Sequence, residues 1–356
     1  MIRAGFAVFA VGAVVLIAML LNSQSERDRM RRAVARQRES ANYRPASIIP
    51  PVPALLRPNA VRAAAISGFD DNELVIGLQI NGEARAYPVN FINDPEHEVI
   101  NDDLGDVPIA VTWCDHCSNS VVFERRVDGK PLTLSVAGML WRDNMVMRDE
   151  TGTEWSQLLG RAMKGIRKGR SLRVIPSTLT SWKSWKQRYP RTTVVVLPRT
   201  SYEYSREYLD SRGDLYFAIS RNGESRAWKM TALTKAVVVN DRLPPESGQE
   251  KASVPLVVVC LKDEGTVAIR GRKPGSRVLT FERNRGGEIV DRETGSVWDM
   301  LTGKAVSGKL AGSTLPLLPG TLVTRAAWQR FRPESTYWGT DPPTPHQPPG
   351  ASPRFR

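Results

Sequence analysis

The sequence predicts a mainly β protein with a few helices: two tandem-duplicated antiparallel β sandwich or barrel-like units behind an N-terminal transmembrane helix. Three observations predict it: an uncharged apolar run near the start, an internal repeat with a period of about 140 residues, and short β-prone segments separated by turn residues. The 356 residues suffice for two domains, and 41% hydrophobic with 24% charged residues excludes a disordered or fibrous chain. Three Cys exclude a disulfide scaffold, and three His exclude several His-rich metal centres.

The run Ala4 to Leu21 holds 18 residues without a charge. As a helix it reaches about 27 Å, close to the hydrocarbon thickness of a bilayer. It exceeds the apolar stretch of an ordinary signal peptide, and Ser23-Gln24-Ser25 is a weak cleavage site. Residues 1–24 therefore read as an uncleaved, single-pass signal anchor in the cell membrane. Only Arg3 precedes the run, whereas Arg27, Arg29, Arg31, Arg32, Arg36 and Arg38 follow it. The positive-inside rule alone would keep the body in the cytoplasm. The very short leading flank is instead the layout of an export signal, and the body is expected to be extracytoplasmic (periplasmic).

Charge supports a membrane setting. The net charge is +13, and nine Arg against three acids within residues 1–60 supply +6 of it. A basic stripe beside an apolar run suits anionic membrane lipid, the expected partner. No zinc-finger, RNP or basic-zipper pattern is present, so nucleic acid is not expected. Residues 25–60, with Pro45, Pro50, Pro51, Pro53 and Pro58, read as a basic, Pro-rich linker. Residues 341–356, which include His346, read as a Pro-rich disordered tail.

The repeat places a first unit at 61–200 and a divergent second unit at 201–340. Asn81-Gly82-Glu83-Ala84-Arg85-Ala86 returns as Asn222-Gly223-Glu224-Ser225-Arg226-Ala227, and Val99-Ile100-Asn101-Asp102 as Val238-Val239-Asn240-Asp241. Glu150-Thr151-Gly152-Thr153-Glu154-Trp155 aligns with Glu293-Thr294-Gly295-Ser296-Val297-Trp298, and Trp185 and Pro190 find Trp328 and Pro333. Val75–Ile80 and Ala84–Val89 flank Asn81-Gly82, a favoured hairpin turn. Ile109–Trp113, Val121–Arg126, Leu132–Val136 and Met145–Arg148 read as further strands. Ser181–Tyr189 and Thr324–Phe331 read as helices closing the units, the first capped by Ser181 and stopped by Pro190.

The sharpest chemical feature is Cys114-Asp115-His116-Cys117, between two β-prone runs. Two thiolates at this spacing reach one transition metal, zinc or copper, or form a reversible disulfide. A metal set would draw on Cys114, Cys117, His97 and His116. In the second unit Cys260 is expected to stand for Cys114, Asp263 for Cys117, and Ala236-Val237 for His97-Glu98, which confines the chemistry to the first unit. Met139, Met145 and Met147 offer thioethers to a cuprous ion, or fill the core. Asp149 and Glu154 offer carboxylates for hydrolysis, while Glu150, repeated as Glu293, reads as a turn residue. No phosphate loop, nucleophile elbow or H-E-x-x-H is present. The βαβ context of a thioredoxin-like oxidoreductase is also missing. The residues name no reaction. The alternative reading is a non-catalytic scaffold that docks another envelope protein.

The order G-E-A-R-A-Y-P (82–88), H-E-V-I-N-D (97–102), V-T-W-C-D-H-C-S (111–118), D-N-M-V-M-R-D-E-T-G-T-E-W-S-Q (143–157) and S-W-K-S-W (181–185) resembles the bacterial DUF3179 proteins. The resemblance covers about residues 74–197. It implies a protein of a family of unknown function whose members are commonly exported or membrane-associated. The family's cysteine pair usually reads C-P-x-C followed by a small residue, like a metal knuckle, and maps onto Cys114 and Cys117. Its histidine maps onto His97. Here Asp115 and His116 fill the middle of the pair without a proline, a departure that favours thiol chemistry.

Overall fold

The computed structural model describes residues 41–221, 223–243 and 253–340. The expected anchor at 1–24 and tail at 341–356 lie outside the described residues. Among the described residues, no helix is long and apolar enough to cross a membrane.

The protein is mainly β, with short helices. Leu74–Ile80 and Glu83–Pro88 form the hairpin expected around Asn81-Gly82, and both turn residues have positive φ (48° and 90°), as a two-residue type I′ turn requires. Thr178–Ser181 pairs with the outer side of Leu74–Ile80 and runs directly into the helix Trp182–Arg188. Ser181 caps that helix by accepting the Ser184 amide at 3.3 Å. The same succession recurs downstream: Leu215–Arg221 pairs with Glu224–Lys229, and Thr321–Thr324 joins Leu215–Arg221 and leads into the helix Arg325–Phe331. Thr324 accepts the Ala327 amide at 3.4 Å.

The sheets do not divide into two separate sandwiches. Val238–Leu243, Val254–Leu261 and Thr266–Gly271 form an antiparallel meander, and its last strand meets Thr178–Ser181 at Leu179↔Val267. Downstream meander and upstream hairpin thus share one nine-stranded sheet, completed by Thr193–Val195, Ala60–Arg62 and Leu317–Leu318. Reciprocally, Thr321 Oγ1 donates to the Ser120 carbonyl at 2.7 Å, bringing the downstream hairpin sheet against the upstream meander Val99–Leu104, Val107–Cys114 and Asn119–Glu124. The last strand of each meander thus meets the other half. The largest apolar cluster accordingly mixes Leu74, Leu78, Trp113 and Tyr204 with Phe217, Leu256, Val267 and Leu322.

The segment expected to be only a linker takes part in this body. Ala46–Ser47 pairs with Met139 and Leu140, Leu55–Leu56 runs parallel to Ile100–Asn101, and Ala60–Arg62 pairs with Thr193–Val195. Each is a short sheet-edge strand, the one sheet setting in which neighbouring prolines sacrifice no ladder hydrogen bond.

Candidate functional site

The two thiols sit at a tight reversal. Val107–Cys114 ends in one 3₁₀ turn, Asp115–Cys117, and Ser118 adopts the left-handed conformation (φ 51°, ψ 43°). The chain then returns as Asn119–Glu124, with Asn119 opposite Cys114. This geometry folds Cys117 back onto Cys114: the sulfurs are 3.2 Å apart, both thiols are free, and they are 1% and 0% exposed.

Their surroundings differ. Behind Cys117 runs a buried polar chain. Asn144 Nδ2 donates to Cys117 Sγ at 3.2 Å and to Gln157 Oε1 at 2.8 Å. Gln157 Nε2 donates to Thr112 Oγ1 at 2.8 Å, and Thr112 donates to the Val121 carbonyl at 2.7 Å. The Cys117 thiol faces Asn119 Oδ1 at 3.4 Å. Cys114 instead lines a cavity of about 110 Å³ whose walls include Glu98, Asp115, His116, Met139 and Met145. One side is closed by the chain after Ala46–Ser47: the Ile48 and Ile49 amides donate to the Gly138 carbonyl at 2.9 and 3.2 Å, and Val52 to Val136 at 3.0 Å. Gly138 has φ 73°, and a Cβ there would stand 2.2 Å from the Ile49 oxygen, so this crossing requires glycine.

Glu98 Oε1 accepts the Asp115 amide at 3.2 Å. Burial raises the Glu98 carboxyl to about 7, aided by the charges of Asp115 and Asp94 and opposed by the Asp115 amide. The Cys114 thiol is held well above its ordinary range, first by burial, then by its contact with Cys117 and by Glu98. Asp115 in turn accepts a short hydrogen bond from the Tyr204 hydroxyl.

The expected ligands do not converge. His116 is exposed on the turn and lines the cavity; His97 does not line it, and its buried Nδ1 has no hydrogen-bond partner. Met139 and Met145 line the cavity, while Met147 belongs to the apolar cluster. Among the described residues, no three His, Cys, Asp or Glu side chains gather as a metal site requires. Two thiolates on one tetrahedral zinc, at about 2.3 Å each, stand about 3.8 Å apart. The 3.2 Å pair, with an amide donor on one sulfur, is tighter than that.

Asp149 and Glu154 form no cleft. Asp149 accepts the Thr151 and Thr153 amides at 2.9 and 3.1 Å, Trp155 Nε1 at 3.0 Å and Arg167 Nη1 at 3.0 Å. Asp291 likewise accepts the Thr294 amide at 2.7 Å and Trp298 Nε1 at 2.9 Å. Glu150 accepts the Thr133 amide and Glu293 the Thr280 amide, both at 2.8 Å. These carboxylates brace turns. Glu154 pairs with Lys164.

Strand geometry corrects the expected place of Cys260. Val254–Leu261, the turn Lys262–Glu264 and left-handed Gly265 repeat Val107–Cys114, Asp115–Cys117 and Ser118 residue for residue. Leu261 thus stands at the position of Cys114, Glu264 at that of Cys117, and Cys260 at that of Trp113. Adjacent strand residues face opposite sides; Cys260 joins Trp113 in the large cluster, while Cys114 faces the other. Glu264 pairs with Arg188 at 2.9 Å. The neighbours of the sulfur pair to which motif reading gave no role are Glu98, Asn144, Gln157 and Thr112, scattered along the chain. The repeat held a signal for them: the downstream half carries Val237, Gly287, Met300 and Val259 at the matching positions.

No curated protein and no solved structure matches the chain. Residues 50–211 match the family model described as "Protein of unknown function (DUF3179)", a span that contains both thiols, Glu98, Asn144 and Gln157. In this segment, 162 of the 356 residues, the chain is similar to the DUF3179 family.

Proposed function

We propose that this chain is a membrane-tethered, extracytoplasmic dithiol protein, in which Cys114 and Cys117 alternate between a thiol pair and a disulfide. The 3.2 Å between the two free sulfurs carries the reading, because a disulfide needs them only about 1.2 Å closer. Oxidation removes two protons and two electrons, which pass to a disulfide on a partner molecule. Burial that keeps Cys114 protonated leaves the pair inert to bulk oxidants and selective for a reagent that enters the cavity. The uncharged run 4–21 supplies the tether. The downstream half descends from the same ancestral unit and serves as a structural partner without the sulfur pair.

Intact mass and thiol counting of full-length protein, before and after mild disulfide oxidant, test this. The expected result is joint oxidation of Cys114 and Cys117 with Cys260 unchanged, and no disulfide in Cys117→Ser. A competing occupant is a cuprous ion, since Met139, Met145 and Cys114 face one cavity. Stoichiometric copper in chelator-free protein, lost in Cys117→Ser, would replace the redox reading. Full biological complementation by a Cys114→Ala, Cys117→Ala double variant would leave the scaffold reading instead.

A further inference from the structure

The two thiols are not equivalent, and the cavity in front of one of them has a chemical character. Cys114 forms part of its wall; Cys117 does not, being fully buried behind the turn against Asn144 and Asn119. A molecule inside the cavity therefore meets Cys114 first. The volume of about 110 Å³ suits a small molecule better than a folded partner's loop. Ile48, Ile49 and Met145 give it apolar wall. Beside Cys114, its ionisable lining consists of Asp94, Glu98, Asp115 and His116, and no lysine or arginine among the described residues lines it.

Glu98 adds an independent indication. Glu98 is only 7% exposed, its Oε1 takes the Asp115 amide, and it stands in the cavity wall beside Cys114. A nearly buried carboxyl beside a reactive sulfur, in a wall that also carries Asp94 and Asp115, favours a ligand N–H of positive charge.

We propose that this cavity admits a small aminoalkyl disulfide, with the ligand's ammonium group on Glu98 and its sulfur on Cys114, and that Cys117 is the resolving thiol. This rests on the dithiol reading. In the first step Cys114 Sγ, as thiolate, attacks the ligand disulfide. A Cys114–sulfur bond forms, the ligand S–S bond breaks, and one aminoalkyl thiolate leaves and takes up the proton that Cys114 released. In the second step Cys117 loses its proton and attacks Cys114 Sγ. The Cys114–Cys117 bond forms, the mixed disulfide breaks, and the second aminoalkyl thiolate leaves protonated. The protein dithiol is oxidised by two electrons, and one external disulfide becomes two thiols.

The test uses reduced full-length protein and three probes: cystamine (cationic), bis(2-hydroxyethyl) disulfide (neutral) and dithiodiglycolate (anionic). Each rate is divided by that of the same probe with a free small thiol. The expected normalised rate for cystamine is at least tenfold above that for dithiodiglycolate, shrinking with added salt, and Glu98→Gln removes most of the preference. Cys117→Ser is expected to retain one cysteamine adduct on Cys114, and Cys114→Ser none on Cys117. Equal normalised rates for the three probes, or an adduct mapped to Cys117, overturn the inference while leaving the dithiol reading intact. If neither these probes nor diamide oxidises the pair, the dithiol reading itself falls. The wild-type rate ratio decides even if a cysteine variant fails to fold.

Discussion

Asn144 donates its side-chain amide to Cys117 Sγ across 3.2 Å, so a residue 27 positions along the chain holds the inner thiol in place. The same side chain donates to Gln157 and accepts the Leu158 amide at 2.9 Å. Asn144→Ala leaves Gln157 Oε1 and the Leu158 N–H buried without partners, at an expected cost of about 3 kcal/mol. A lowered urea midpoint with unchanged slope checks this. A variant within about 0.5 kcal/mol of wild type would show that water replaces the amide.

Glu98 is expected to make stability fall as pH rises. Its carboxyl titrates near 7 in the folded chain against an ordinary 4.5, so between those values the native state holds a proton that the unfolded chain has released. Stability associated with this group is fully present below pH 4.5 and lost as pH passes 7, a total of about 3 kcal/mol. Glu98→Gln lacks the titration. Urea unfolding at pH 4.5, 6 and 8 should show the variant gaining on wild type by about that amount; parallel pH curves would contradict the assignment.

Gly138→Ala places a methyl group against the Ile49 carbonyl and forces the crossing segment away from the cavity. We expect at least tenfold faster alkylation of Cys114 by iodoacetamide, with new protease sensitivity around residues 46–52. Unchanged alkylation would mean that the segment does not limit access to the sulfur.

Asp149→Ala and Asp291→Ala separate bracing from chemistry. Asp149 holds five donors including Arg167, whereas Asp291 has no cation among its hydrogen-bond partners in the described residues, so the upstream variant should lose more stability, about 3 against 2 kcal/mol. At temperatures where both are folded, Cys114 should react with disulfides at the wild-type rate. Loss of reactivity in folded Asp149→Ala would instead tie that carboxylate to the site.

Local features were legible in the chain. The Asn81-Gly82 turn, both closing helices, the Ser181 cap, and the strands around the cysteine pair follow from short-range chemistry. The pairing Leu179↔Val267 was not legible, because a strand edge records no partner in its own residues. The placement of Cys260 failed for a related reason: matching one sulfur to another skipped a residue, and strand parity turned the side chain to the opposite face. Glu98 was hidden by the more conspicuous His97 beside it. Its role depends on burial and on the Asp115 amide, which only the folded turn provides.

The interlocking of the two halves denies the family-matched segment any autonomy. Produced as residues 50–211 alone, it would bare Thr178–Ser181 and Asn119–Glu124 and lose Tyr216, Trp328 and Phe331 from the cluster that encloses both sulfurs. The half without the sulfur pair is what keeps the Cys114–Cys117 turn dry, and truncation between the halves should yield insoluble protein rather than a folded fragment.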